Sequence, residues 1–119
     1  MGASTFHTVQ PRDRFKDAGA AFWAAVDQAA YDYGHAGYTG TIAEKDGYHQ
    51  VAEFASDEDA HAAINAWIND GYAYDTGSAV PVPDDHPYHK LRNATDDKWG
   101  PANLVVTPKF YHFFGWASC

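Results

Sequence analysis

Residues 34–45 read Gly34-His35-Ala36-Gly37-Tyr38-Thr39-Gly40-Thr41-Ile42-Ala43-Glu44-Lys45, and they join the strongest helix pattern of the chain to its first strand pattern. Three glycines, two threonines, a tyrosine, a histidine and a Glu-Lys pair lie within these twelve residues. We call this segment the glycine junction. Its position between two regular elements, together with its chemical variety, makes it the point around which we predict the fold and a binding site.

The residues before the glycine junction have the pattern of one long amphipathic helix. Pro11 suits a helix-opening position, Asp13 is an alternative N-cap, and Gly34 is typical of a C-cap. Between these ends, apolar residues recur at three- and four-residue spacing, which predicts one buried helical face. The predicted face consists of Phe15, Ala18, Phe22, Ala25, Val26, Ala29, Ala30 and Tyr33.

The residues after the junction have the pattern of a β-hairpin over 37–54. Side chains alternate in character from Tyr38 to Lys45, and Asp46-Gly47 is a tight-turn dipeptide. Residues 48–54 then have the pattern of a returning strand.

A second helix follows, with a marked start and end. Ser56 with Asp59 three residues later is typical of a capping box, and Asp70-Gly71 is typical of a helix end. Its buried face is predicted to consist of Ala60, Ile64, Trp67 and Ile68.

The rest of the chain completes the predicted fold. Residues 72–100 contain several prolines and lose periodicity, which predicts a long irregular loop of the kind that is more often functional than idle. Residues 103–107 and 109–117 are strand patterns predicted to pair and to join the hairpin, and residues 1–10 are predicted to be an arm or an edge strand. The sequence therefore predicts an α+β fold: a single domain with a small antiparallel sheet of about four strands packed against two helices, in the order α-β-β-α-loop-β-β.

Composition restricts the classes of function. The 119 residues suit one domain, and 8 Lys+Arg against 16 Asp+Glu give a net charge of −8, which argues against non-specific binding to nucleic acid. Cys119 is the only cysteine, so we expect no intramolecular disulfide and a reducing compartment. The sequence contains no run of about 18 apolar residues, and residues 1–10 lack a signal-peptide pattern. We therefore expect a cytoplasmic protein with no membrane partner.

The glycine junction has the composition of a loop that binds a phosphate or a carboxylate. Glycines let backbone N–H groups approach an anion, and Thr39 and Thr41 add hydroxyl donors. The spacing matches neither a Walker loop nor a dinucleotide fingerprint, and the preceding helix would present its C-terminus, where the dipole disfavours anions. The alternative is structural, with glycines that cap the helix and turn the chain. Glu44 and Lys45 lie on opposite faces of the predicted strand, so that either one of them faces a cleft or each is solvated.

One cluster has the character of a metal site. His86-x-x-His89, with Asp84 and Asp85 beside it, offers two imidazoles and two carboxylates. A loop that contains prolines lacks the helical H-x-x-x-H geometry, and a third ligand would have to be placed by the fold. A polar surface loop is therefore favoured, and we predict no metal, no cofactor and no catalytic residue.

The aromatic residues could form a stacking surface. Trp99, Tyr111, Phe113 and Trp116, with Tyr38, could stack a flat ligand such as a nucleobase, and the alternative is that these rings fill the core. The complete set of predicted ligand-binding residues is Tyr38, Thr39, Thr41, Glu44, Lys45, Trp99 and Trp116.

Three segments carry a resemblance: residues 33–45, Asp97-Lys98-Trp99-Gly100-Pro101-Ala102, and Phe113-Phe114-Gly115-Trp116-Ala117-Ser118. In these segments the chain resembles a group of small hypothetical proteins encoded by bacteriophages of actinobacteria. The resemblance implies a phage accessory protein made inside a bacterial cell, in which the three segments act together.

We therefore expect a non-enzymatic accessory protein that acts by binding. The expected target is a host defence protein or a nucleotide-type small-molecule signal, and a second copy of the chain is a further candidate partner. One alternative is a small hydrolase or transferase that uses Glu44, His35 and a threonine. The other alternative is a structural accessory protein of the virion.

Overall fold

In the computed structural model, which describes residues 2–33, 39–75 and 78–119, strand β6 (Phe110–Ser118) is paired along both edges. β1 (Ala3–Pro11) and β5 (Ala102–Val106) lie antiparallel to β6, and β2 (Tyr48–Glu53) pairs with β5 in parallel. The resulting four-stranded sheet has the order β1-β6-β5-β2.

One helix packs on each face of this sheet, because successive residues of a strand point to opposite faces. Phe113 of β6 belongs to the apolar cluster beneath α1 (Ala18–Tyr33), whereas Phe114 belongs to the cluster beneath α2 (Asp57–Ile68). Phe22 of α1 meets Phe113 edge-on, with ring centroids 5.6 Å apart. The sheet is therefore the middle layer of three.

The remaining elements are short. β3 (Tyr72–Asp75) and β4 (Ser78–Pro81) form a separate antiparallel hairpin. Turns of 3-10 helix lie at Arg12–Arg14, Ile42–Glu44 and Pro87–Leu91. The segment 72–100, predicted to be irregular throughout, thus contains a hairpin and a helical turn.

The predicted class, a single α+β domain with two helices, is confirmed, as is the antiparallel pairing of the last two strands. The N-cap of α2 is also confirmed, since Ser56 Oγ accepts a hydrogen bond from the Asp59 backbone N–H at 3.2 Å. Residues 3–11 take the strand alternative rather than the arm. α1 begins later than predicted, because Asp17 Oδ1 accepts a hydrogen bond from the Ala20 backbone N–H at 2.8 Å and provides the cap.

The predicted β-hairpin over 37–54 is wrong. Ile42–Glu44 is a 3-10 turn whose start is fixed by Thr41, which accepts a hydrogen bond from the Ala43 backbone N–H at 3.2 Å through its hydroxyl. β2 then pairs with β5 rather than with the preceding segment, so the sheet is mixed and not purely antiparallel. The predictions that concern residues 34–38, including the Gly34 cap, lie outside the described residues.

Candidate functional site

Three histidines that are far apart in sequence meet on the α2 side of the sheet. His7 of β1, His61 of α2 and His112 of β6 each offer a ring nitrogen, and these nitrogens all lie within 4.8 Å of one another. In the described part of the chain, this is the group of metal-ligating side chains that the fold brings together. We call these three residues the histidine cluster.

Strand register and helix periodicity place the cluster. His7 lies opposite Phe114, and Val9 lies opposite His112, so the two strand histidines are diagonal neighbours on one face of the sheet. His61 follows Asp57 by four residues, about one helical turn, so both point from α2 toward that face.

A chain of hydrogen bonds orients the buried imidazole. Asp57 Oδ1 lies 2.9 Å from His112 Nε2, and His112 Nδ1 lies 3.0 Å from His7 Nε2. Thr107 donates a hydrogen bond of 2.6 Å to the same Asp57 oxygen. Because an ionised carboxylate only accepts hydrogen bonds, the Nε2–H of His112 donates to Asp57. The lone pair of neutral His112 is then on Nδ1 and points toward His7.

Burial and hydrogen bonding shift the pKa values of Asp57, His7 and His112. Partial burial opposes ionisation of Asp57, but hydrogen bonds from Thr107 and His112 outweigh it and lower the pKa of that carboxyl. Burial, together with the neighbouring imidazoles His112 and His61, lowers the pKa of His7 to about 4. Burial also lowers the pKa of His112, although the bond to Asp57 opposes the shift. His7 and His112 are therefore neutral at pH 7, the form that binds metal ions.

Burial differs sharply among the three rings. The His112 side chain is 0% exposed, His7 is half-buried, and His61 is exposed. The cluster is therefore anchored in the core at one end and open to solvent at the other.

The threonines of the predicted site form a closed hydrogen-bonded turn. The Thr39 hydroxyl donates to Glu44 Oε2 at 2.8 Å, and its backbone N–H donates to the same oxygen at 3.1 Å. Thr41 Oγ1 lies 2.8 Å from Thr39 Oγ1 and accepts from the Ala43 N–H. These groups hold the chain around Ile42–Glu44 in its turn.

Lys45 is a buried structural cation, with 3% of its surface exposed. Its amine donates to the backbone carbonyls of Asp97 at 3.3 Å, Lys98 at 3.1 Å and Gly100 at 2.8 Å. Burial lowers the pKa of the Lys45 amine, and the Asp97 carboxylate opposes that shift. The three N–H groups of the ammonium thus match three acceptors, and the amine ties residues 97–100 to the end of the glycine junction.

Of the two predicted tryptophans, Trp99 precedes β5 and Trp116 lies within β6. Trp99 is 64% exposed, while half-buried Trp116 lies on the α2 side of β6, two residues beyond Phe114. Lys45 lies on the α1 side, 6.0 Å from the centre of the Phe6 ring. The structure therefore brings Thr39, Thr41 and Glu44 together and links Lys45 to the segment around Trp99. Tyr38 and His35 lie outside the described residues.

The side chains of His86 and His89 contact nearby backbone groups at hydrogen-bond distance. His86 Nδ1 accepts a hydrogen bond from the Tyr88 N–H at 3.0 Å, and His89 Nε2 lies 2.9 Å from the carbonyl oxygen of Pro83. These contacts fit the polar surface loop that was favoured from the sequence.

A cleft of about 500 Å³ lies between α1 and β1. Phe6, Ala25, Ala29 and Ile42 provide its apolar walls. Its polar rim includes Gln28, Asp32, Tyr33, Thr39 and Thr41. Two residues of the predicted site, Thr39 and Thr41, therefore line a concave surface.

Comparison of the chain with protein-family models, with curated proteins and with solved structures gives no match. No helix among the described residues is long and apolar enough to cross a membrane.

Sequence reasoning missed the histidine cluster. The one local signal was Asp57 and His61, four residues apart in a predicted helix. His7 and His112 stand 105 residues apart, and only strand register makes them neighbours.

Proposed function

We propose that the protein binds a divalent transition-metal ion through His7, His61 and His112, and that zinc is the ion this ligand set fits best. The observation that carries the proposal is the convergence of three imidazole nitrogens from three separate elements within 4.8 Å. Two nitrogens bound to one tetrahedral zinc stand about 3.3 Å apart, and those of His7 and His112 are 3.0 Å apart. Binding thus requires a small opening of this pair, a change of the His7 tautomer that moves its proton from Nε2 to Nδ1, and approach of the His61 nitrogen from within 4.8 Å.

Asp57 supports the proposal from outside the ligand set. Metal-binding imidazoles commonly donate their second N–H to a carboxylate, which fixes the ring and raises its basicity. The 2.9 Å contact between Asp57 and His112 has this arrangement, and the 2.6 Å bond from Thr107 holds the carboxylate in place. His112 is therefore oriented before any ion arrives.

The ligand set indicates an open site rather than a closed structural one. Structural zinc sites use four protein ligands, whereas three protein ligands leave a fourth position for water or another exchangeable ligand. His61 is exposed, so the fourth position would face solvent on that side. The bound ion could then accept a ligand atom from a partner or a small molecule.

A proton relay is the second candidate, and the hydrogen bonds favour it. Asp57, His112 and His7 are linked in series at 2.9 and 3.0 Å, which would let Asp57 stabilise a proton taken up by the imidazoles. Metal binding and the relay are mutually exclusive uses of the His112 Nδ1 lone pair. A titration with metal therefore distinguishes them.

The test is isothermal titration calorimetry of metal-free protein with zinc chloride. We expect one ion per chain, and we expect His61→Ala to weaken binding by about 100-fold or more, since it removes a ligand rather than a supporting group. The exposed position of His61 on α2 suits alanine, so the variant should remain folded. His89→Ala is the matched control and should bind zinc like the parent.

Absence of saturable zinc binding would overturn the metal site and leave the relay. Equal binding by the parent and His61→Ala would assign zinc to other residues. The broader role expected from the resemblance, a phage accessory protein that acts on a host protein or a nucleotide-type signal, stays a prediction.

A further inference from the structure

The described residues that line the cleft between α1 and β1 include an acidic side chain and no lysine or arginine. Asp32 is the carboxylate on its rim. Residues 34–38, which connect Tyr33 to Thr39 in the sequence, contain no lysine or arginine either. The whole chain carries a net charge of −8. An anionic ligand would therefore find no cationic side chain among the described residues of this rim.

The end of α1 adds to this negative potential. Gln28, Asp32 and Tyr33 belong to the last turns of the helix, and the C-terminal end of a helix carries the negative pole of its dipole. Basic residues usually occupy the last turn, but α1 has none there and carries Asp32 instead. Among the described residues, the last turn of α1 therefore has a carboxylate and no basic side chain, which favours a bound cation.

The rim also offers the geometry that an organic cation needs. Gln28 donates a hydrogen bond of 3.1 Å to Asp32 Oδ1, which orients the carboxylate. Tyr33 is 66% exposed, so its ring is available for a cation–π contact. The walls formed by Phe6, Ala25, Ala29 and Ile42 suit the methylene groups of an alkyl amine.

We propose that this cleft binds a small organic cation of the amine or guanidinium class, with Asp32 as its counter-ion and Tyr33 against its charged end. The site differs from the proposed metal site in its chemistry, and the two share His7, which lines the cleft and also belongs to the histidine cluster. It also differs from the nucleotide-type ligand expected from the sequence, because Lys45 is bound to three backbone carbonyls and does not line the cleft.

The test uses putrescine, spermidine and arginine amide as probes, with ATP and glucose as comparators. Binding is measured by calorimetry at one ionic strength, with EDTA present so that metal ions cannot contribute. We expect saturable one-to-one binding of at least one cation and none of ATP or glucose.

Two variants of the same helix decide whether binding is specific. Asp32→Asn should weaken binding of the cation by about tenfold or more, because it removes a charged partner. Asp27→Asn is the matched control, since Asp27 is an exposed acid of α1 that does not line the cleft. It should bind like the parent.

Tyr33→Leu should weaken binding of the cation by about threefold through loss of the cation–π contact. No saturable binding of any cation, saturable binding of ATP, or equal effects of Asp27→Asn and Asp32→Asn would each overturn the proposal. Circular dichroism of each variant confirms that the fold is intact, and zinc titration of Asp32→Asn should match the parent.

Discussion

The glycine junction and the histidine cluster differ in how their polar groups are satisfied. In the junction, the hydroxyls of Thr39 and Thr41 bind one another and Glu44, and the Lys45 amine donates to three carbonyls. In the cluster, a short hydrogen-bond chain runs from Asp57 through buried His112 to half-buried His7, and His61 lies beside them on the solvent-exposed side. The polar groups of the glycine junction thus stabilise the local structure, whereas the histidine cluster, whose residues are far apart in sequence, is the more reactive group of side chains.

The difference has a physical cause. Thr39, Thr41 and Glu44 lie within six residues, so a single turn can satisfy their polar groups at little cost in chain entropy. The histidines come from β1, α2 and β6, and each is positioned by its own element rather than by its neighbours in sequence. A polar group held by a rigid element is positioned for a ligand before the ligand arrives.

Among the predictions that test this difference between the two regions, the largest loss of stability is expected on substitution of Lys45. Lys45→Met keeps the apolar chain but leaves the carbonyls of Asp97, Lys98 and Gly100 without their donor. The free energy of unfolding should fall by about 3 kcal/mol, because buried unpaired acceptors are costly. Urea denaturation measures the loss. Lys16→Met, at an exposed lysine, should have little effect, and a similarly small change for Lys45→Met would contradict its structural role.

Metal binding should raise the stability of the cluster side of the sheet. Zinc at about 100 times its dissociation constant should increase the free energy of unfolding by about 2.7 kcal/mol, since the ion binds the folded state selectively. Thermal unfolding with zinc, and again after EDTA, measures the gain and its reversal. A melting temperature that does not change with zinc would contradict the proposal that the histidine cluster, unlike the glycine junction, binds a ligand.

The supporting carboxylate should matter less than a direct ligand. Asp57→Asn should weaken zinc binding by about 10- to 100-fold, because the amide supports His112 less well than a carboxylate does. Asp59→Asn changes an exposed acid in the same helical turn and provides the control. If both variants bind zinc equally, the Asp57–His112 contact has no role in positioning.

The smallest effect is expected at the start of α2. Ser56→Ala removes the acceptor for the Asp59 N–H and should lower the free energy of unfolding by about 1 kcal/mol. Asp57 is the first residue of this helix, so zinc affinity should also fall, though less than in Asp57→Asn. Chemical denaturation with parallel zinc titration tests both effects, and Ser78→Ala at an exposed strand position is the control.

Local sequence signals predicted the local structure well. The apolar spacing of α1, the Ser56 cap and the pairing of β5 with β6 are all determined by residues near one another in the chain. The hairpin prediction was wrong because the alternation after Tyr38 resembles a strand. In the structure, the Thr39 hydroxyl donates to Glu44 and the Thr41 hydroxyl accepts from the Ala43 N–H, and these bonds hold the segment in a turn.

The site required information that no local pattern contains. The register of β1 on β6 decides that His7 and His112 share a face, and the packing of α2 decides that His61 joins them. A shift of one residue in that register would send the His7 side chain to the opposite face of the sheet.

The pairing of β1 with β6 has a consequence for biosynthesis. His7 emerges from the ribosome 105 residues before His112, a delay of roughly 5–20 s at the elongation rate of about 5–20 residues per second. During that interval the first strand has no partner in this sheet, because β6 is its neighbour. The three imidazoles therefore come together only after nearly all of these residues have been translated, and a metal ion held by all three must be acquired after that point.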